Sequence, residues 1–131
     1  SLQGIDIDIN KTPDALPALA VLGCFAKGVT RLHNVASARI KETDRIKAMA
    51  SELKKMGARI EEIPDGLIVH NSQLKGAKVN GHNDHRVVMA LSLAALIAKG
   101  NTEIDTAKSV NVSYPTYIKS MKALGAKIDV V

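Results

Sequence analysis

The chain has 131 residues, 46% hydrophobic and 24% charged, a balance that suits one domain with a real buried core and excludes a disordered segment. A formal net charge of +5 points to an acidic partner, while one Phe, two Tyr and no Trp leave few stacking platforms for single-stranded nucleic acid. No charged leader followed by an apolar segment opens the sequence and no apolar run is long enough to span a bilayer, so a soluble, cytoplasmic protein without a membrane partner is expected.

In chain order, the first residue is Ser rather than Met, which points to an excised or processed piece. GIDIDIN (4–10) alternates apolar and polar residues and predicts a strand. PDALPALAVLGCFAKG (13–28) predicts a mostly apolar helix ended by Gly28. Within it Cys24 reads as a structural cysteine, because nothing nearby would stabilise a thiolate. VTRLHNV (29–35) predicts a second strand. KETDRIKAMASELKKMG (41–57) predicts a second helix, with Ile46, Met49, Ala50, Leu53 and Met56 at helical spacing and Gly57 as its C-cap. ARIEEIP and GLIVHN predict a hairpin joined at Asp65-Gly66.

The pattern then restarts: AKVNGH (77–82) as a strand, HRVVMALSLAALIAKG as a buried helix, NTEIDTA as a strand, YPTYIKSMKALG as a helix and AKIDVV as a strand. FAKGVTRLHNV answers IAKGNTEIDTA, and KKMGARIEEI answers KALGAKIDVV. The expected fold class is α/β (α+β): one domain fragment over 1–131 made of two βαβαββ repeats, 4–71 and 77–131, the second lacking its last strand. Each repeat is expected to form a sheet with both helices on one face, and the two to pack helix against helix. Residues 17–26 and 87–98 would be the buried pair, with Leu93 facing inward.

TPDA (12–15), KETDR (41–45) and NDHR (83–86) all fall at or just before predicted helix N-termini. Free N–H groups there, joined by Lys41, Arg45 and Arg86, make strong anion sites. Glu42 and Asp14 amid those cations are candidate general acids or bases. The same residues also suit structural roles: Asp14 favouring a helix dipole, Lys41 and Arg45 as solvated charges flanking an N-cap Thr43, Asp84 as an N-cap, His85 as a packed histidine. His33, His70 and His82 have no ligand-like spacing with carboxylates or cysteine, so neither metal nor other cofactor is expected.

RIKETDRIKAMASELKKMGARIEE (39–62), NDHRVVMALSLAAL (83–96) and SYPTY (113–117) resemble, in order and spacing, the C-terminal part of the 5-enolpyruvylshikimate-3-phosphate synthase family, and the likeness runs from TPDA onward. That family joins phosphoenolpyruvate to shikimate 3-phosphate by addition and elimination, releasing phosphate, in the shikimate pathway of aromatic amino-acid biosynthesis. The resemblance implies that Asp14 takes the proton of the attacking hydroxyl and Glu42 exchanges one with the methylene carbon. Lys41 would contact the shikimate side and assist proton transfer, and Arg45 and Arg86 would bind phosphoenolpyruvate. Asp84 and His85 would orient Arg86, and Ser37 is counted with the substrate-binding residues. Such enzymes have two domains of three βαβαββ units each, so the chain resembles two units of one domain, inactive without the N-terminal domain. Many members place a lysine just before [ST]-[FY]-P; here Val112 precedes Ser113 and the nearest upstream lysine is Lys108. A UDP-N-acetylglucosamine enolpyruvyl transferase is a weaker match to KETDR followed by NDHR. An RNA-binding βαβαββ module is disfavoured by interleaved acids and scarce aromatics.

Overall fold

The computed structural model describes residues 2–107, so the helix and strand expected over 114–131, with Lys108, Val112 and SYPTY, lie outside the described residues. Strand β1 is Asp6–Asp8, shorter than expected because the Asp8 carboxylate accepts the Asn10 N–H and turns the chain. A 3₁₀ turn over Pro13–Ala15 leads into α1, Leu16–Phe25. The helix stops at an extended Ala26, ahead of Gly28, which instead takes φ 82° for the turn into β2, Val29–His33.

A second 3₁₀ turn, Ala36–Ile40, precedes α2, Arg45–Lys55. Its N-cap is Asp44 rather than Thr43, because the Asp44 carboxylate accepts the Lys47 N–H at 3.0 Å. Its other end follows expectation: Gly57 has φ 95°, its N–H donates to the Lys54 carbonyl and that of Ala58 to Leu53, a Schellman closure. Strands β3, Ile60–Ile63, and β4, Gly66–His70, form the hairpin around Pro64 and Asp65. Gly66 already lies in the strand, where a Cβ would run into the Leu32 carbonyl. Then follow β5, Lys78–Asn80, α3, His85–Ile97, and β6, Glu103–Asp105.

The first sheet has the order β1-β2-β4-β3, with β1 parallel to β2 and the other pairs antiparallel; β5 and β6 pair in parallel. Helices α1 and α2 pack on the first sheet, and α3 lies against both. The core between them is aliphatic: Leu16, Val21 and Cys24 from α1, Ile46, Met49, Leu53 and Met56 from α2, Leu32, Leu67 and Val69 from the sheet, Leu91 and Ala94 from α3. Burial pushes the Cys24 thiol up to about 11, which leaves it inert at neutral pH.

Leu93 departs from expectation: it is 40% exposed whereas Leu91 is fully buried. Two residues on a helix differ by about 200°, so the two leucines face opposite sides, and an all-round apolar sequence cannot say which side is covered. A shift of 72 residues carries the isolated bridge Gln3–Lys27 onto Lys75–Lys99, and left-handed Gly28 onto Gly100 at φ 89°. The same shift carries Asp14 onto Arg86.

Candidate active site

The three motif regions converge on one side chain. Arg45, the first residue of α2, is 2% exposed, and each of its nitrogens is bonded to a carboxylate from a different part of the chain. Nε donates to Asp84 Oδ2 at 2.8 Å, Nη1 to Asp14 Oδ1 at 3.0 Å and Nη2 to Glu42 Oε2 at 2.6 Å. Asp14 sits in the 3₁₀ turn ahead of α1, Glu42 in the segment ahead of α2, and Asp84 at the N-cap of α3. The expected two-pronged grip of Arg45 is thus engaged by carboxylates of the chain itself. Three of its five N–H bonds are used among the described residues, leaving one on each terminal nitrogen.

Asp84 is fully buried and serves three partners. Its Oδ1 accepts the N–H groups of Arg86 at 2.9 Å and Val87 at 3.3 Å, so it is the expected N-cap, while Oδ2 holds Arg45. Asp14 and Glu42 are about half exposed, 53% and 52%, and present their free edges to solvent. Lys41 Nζ lies 3.9 Å from Asp14 Oδ1. Arg86 is exposed, with no side-chain partner among the described residues, and lines a cleft of about 80 Å³ with Asp14, Pro17, Ala18, Met89, Ala90 and Leu93. Leu93 is therefore a wall of that cleft. His85 and Ser37 are half-buried and make no side-chain hydrogen bond to described residues. Among the described residues the site thus has two solvent-edged carboxylates able to move protons, Lys41 loosely paired with Asp14, and an exposed Arg86 open to an anion.

Two supporting residues escaped the sequence reading. Arg39 ties the segment before α2 to the hairpin: Nη1 reaches Asp44 Oδ2 at 2.8 Å and Glu62 Oε2 at 2.7 Å, and Nε and Nη2 donate to the carbonyls of Pro64 and Ile63. Burial opposes its charge, but the bonds to Glu62 and Asp44 outweigh that and raise its pKa. Glu52, 2% exposed on α2, is bonded to His82 Nε2 at 2.9 Å. The available signal for Glu52 was its spacing, three residues after Met49 and four before Met56, which sets it at the border of the apolar stripe.

A larger hollow of about 280 Å³ is lined by Thr43, Asp44, Lys47, Ala48, Ser51 and His82. It does not include the Arg45 cluster.

Comparison with known proteins gives one consistent result. The chain is 57% identical over its full length to the 3-phosphoshikimate 1-carboxyvinyltransferase of Ruminiclostridium cellulolyticum, covering 31% of that protein. It is 58% identical to the protein of that name from Acetivibrio thermocellus over 98% of the chain, 30% of the relative. The EPSP synthase of Acinetobacter baumannii superposes on the whole chain with a TM-score of 0.92 and 33% identity, over 32% of its own length. The chain thus spans about three-tenths of the length of these relatives and shares their α/β fold. The family model described as EPSP synthase (3-phosphoshikimate 1-carboxyvinyltransferase) matches residues 1–121, and the chain belongs to that family.

Proposed function

We propose that the chain is part of an enzyme that transfers the enolpyruvyl group of phosphoenolpyruvate to the 5-hydroxyl of shikimate 3-phosphate and releases phosphate, in the cytoplasm. The observation that carries this reading is Arg45 drawing Asp14, Glu42 and Asp84 from three helix entrances to one point, with Lys41 3.9 Å from Asp14 and an exposed Arg86 beside them. Both substrates are phosphorylated carboxylates, and these cations suit them.

In this reading Asp14 removes the hydroxyl proton as the oxygen attacks C2 of phosphoenolpyruvate, and Glu42 gives a proton to C3, which becomes a methyl group. In the second step Glu42 takes a methyl proton back, the C2–O bond to phosphate breaks, and the proton held by Asp14 leaves with the phosphate. Lys41 and Ser37 face the shikimate side, Arg86 and Arg45 the phosphoenolpyruvate side, and Asp84 and His85 set the direction of Arg86. Arg45 admits a ligand anion only by sharing or releasing one of its exposed partners, since its own surface is almost closed. The chain is two repeats, 4–71 and 77–131, and its partner is the N-terminal domain of the same polypeptide. Catalysis of this kind needs charges converging from both sides.

The test is phosphate release by the full-length enzyme and by this chain alone, each with both substrates. Turnover by the first and none by the second is expected; turnover by the chain alone would overturn the division of the site. In the full-length enzyme Glu42→Gln keeps shape but cannot exchange a proton, so kcat should fall by roughly a hundredfold to ten-thousandfold with KM little changed. A change confined to KM would remove Glu42 from the proton transfer.

A further inference from the structure

We propose that Glu52 is a positioning residue: from inside α2 it holds the 80–83 loop, and so sets where the N-terminus of α3 places Asp84 and Arg86 against Arg45. The inference rests on the reading of the site given above. Glu52 lies about two turns beyond Arg45 on the same helix and is 2% exposed. Its Oε1 accepts the Asn80 backbone N–H at 2.8 Å and Lys55 Nζ at 2.7 Å, and Oε2 meets His82 Nε2 at 2.9 Å. An ionised carboxylate only accepts, so the imidazole proton must sit on Nε2. Burial pushes the Glu52 carboxyl up, yet the bonds from Lys55, His82 and Asn80 together hold it below the usual carboxylate range.

The loop it grips is unusual. His82 and Asn83 are consecutive non-glycine residues at φ 56° and 54°, a left-handed pair that persists only where its surroundings over-determine it. One flank is fixed by β6 and the residue after it: Gly81 N–H donates to the Asp105 carbonyl at 2.9 Å, and Asn83 N–H to Thr106 Oγ1 at 2.9 Å. The other flank is fixed by Glu52, through Asn80 and His82. Asn80 Oδ1 accepts the His82 N–H at 2.8 Å, and Asp84 N–H donates to the Gly81 carbonyl at 3.0 Å, so the two anchored ends share one compact turn. Helix α2 therefore holds this loop twice, with Glu52 gripping its start and Arg45 gripping Asp84 at its end. Releasing the first grip lets the left-handed pair relax and shifts the second.

The experiment uses the full-length enzyme with Glu52→Gln. The glutamine oxygen can still serve Asn80 and Lys55, while its NH₂ faces His82. A neutral imidazole can answer by moving its proton to Nδ1, but a doubly protonated one cannot, because two donors then face each other. The charged groups beside His82 are Glu52 and Lys55 from α2, joined through the Glu52 carboxylate, with Lys47 of α2 and its N-cap Asp44 lining the same hollow.

Glu52→Gln should therefore match the parent at high pH and lose roughly tenfold in kcat/KM for phosphoenolpyruvate, mainly through KM, in acid. Adding His82→Gln, whose carbonyl can accept, should remove that acid loss. A second readout is the Arg45 Nε–H resonance, which reports the bond to Asp84 and should move with the same pH dependence in Glu52→Gln only. If Glu52→Gln does not fold, His82→Leu removes a single donor at a half-buried position and should raise KM several-fold. A parental pH profile with an unmoved Arg45 resonance, or an unchanged KM in His82→Leu, overturns the inference. A parent enzyme that turns over neither substrate overturns the proposed function instead, and the Arg45 resonance still decides this one.

Discussion

Removing the Asp84 carboxylate should be the most destabilising single change at the Arg45 cluster, and the size follows from its partners. Asp84→Ala deletes the N-cap of α3, which costs about 1 kcal/mol. It also takes from Arg45 the one carboxylate that is as buried as the guanidinium itself. Breaking a buried pair costs roughly 3–5 kcal/mol when the remaining charge is uncompensated, but Asp14 and Glu42 stay in contact with Arg45, so the lower end applies. The expected total is about 4 kcal/mol, a large part of the roughly 5–15 kcal/mol that a domain has. Asp84→Asn keeps an acceptor for the cap while weakening the bond to Arg45, and should cost about 2 kcal/mol. Asp14→Asn removes a half-exposed partner and should cost no more than about 1 kcal/mol. Urea unfolding of the purified chain at neutral pH, followed by circular dichroism, measures all three. An Asp84→Ala chain within about 1 kcal/mol of the parent, or an Asp14→Asn chain as weak as Asp84→Ala, would refute the assignment of Asp84 as the buried anchor.

Further predictions concern the core, the sheet and acid. Leu91→Ala, at a fully buried site, should cost about 2–5 kcal/mol while Leu93→Ala costs under about 1, and thermal melts of the two variants check the assigned face of α3. Gly66→Ala should cost about 1–3 kcal/mol, since its methyl meets the backbone of β2 rather than a movable side chain; a variant with the parental melting temperature would contradict the strand spacing. Glu52 has a folded-state pKa below its unfolded value, so its contribution to stability is present above the unfolded value and is lost as pH falls through the folded one. Denaturant midpoints measured from neutral pH down through the carboxylate range should therefore fall less steeply in Glu52→Gln than in the parent.

The elements between 4 and 107 were legible because each carries one dominant period and a visible stop. Ile46, Met49, Leu53 and Met56 all reach the core as helical spacing required, and Gly57 closes the helix. Boundaries were less legible: the Asp8 carboxylate ends β1 early, and Asp44 displaces Thr43 as N-cap, both through local side-chain bonds that spacing does not encode. The exposed face of Leu22, Leu93, Leu96 and Ile97 was illegible for a different reason. An apolar side chain marks what tolerates burial and says nothing about which neighbour supplies it. Likewise the candidate site residues could be proposed from three short motifs, but not their mutual pairing, since Arg45 lies 31 residues from Asp14 and 39 from Asp84. Glu52 and Arg39 carry no motif that singles them out, because their partners come from the 80–83 loop and from the β3–β4 hairpin.

The pairing at Arg45 ties the site to the fold. A buried charge is a poor source of net stability, because desolvation consumes most of what pairing returns, and an aliphatic residue at position 45 would serve a plain core as well or better. What an arginine does there, and a leucine could not, is to fix three carboxylates from separate helix entrances relative to one another. Two of those carboxylates keep an open edge and one does not, so the cluster grades from a buried anchor at Asp84 to accessible groups at Asp14 and Glu42. Arg45, Lys41 and Arg86 together balance Asp14, Glu42 and Asp84, which lets the arrangement persist without a ligand while the exposed Arg86 stays available to one. On this argument the half-site is assembled by the packing of α1, α2 and α3 themselves, and the proposed second half has only to bring its own charges to it.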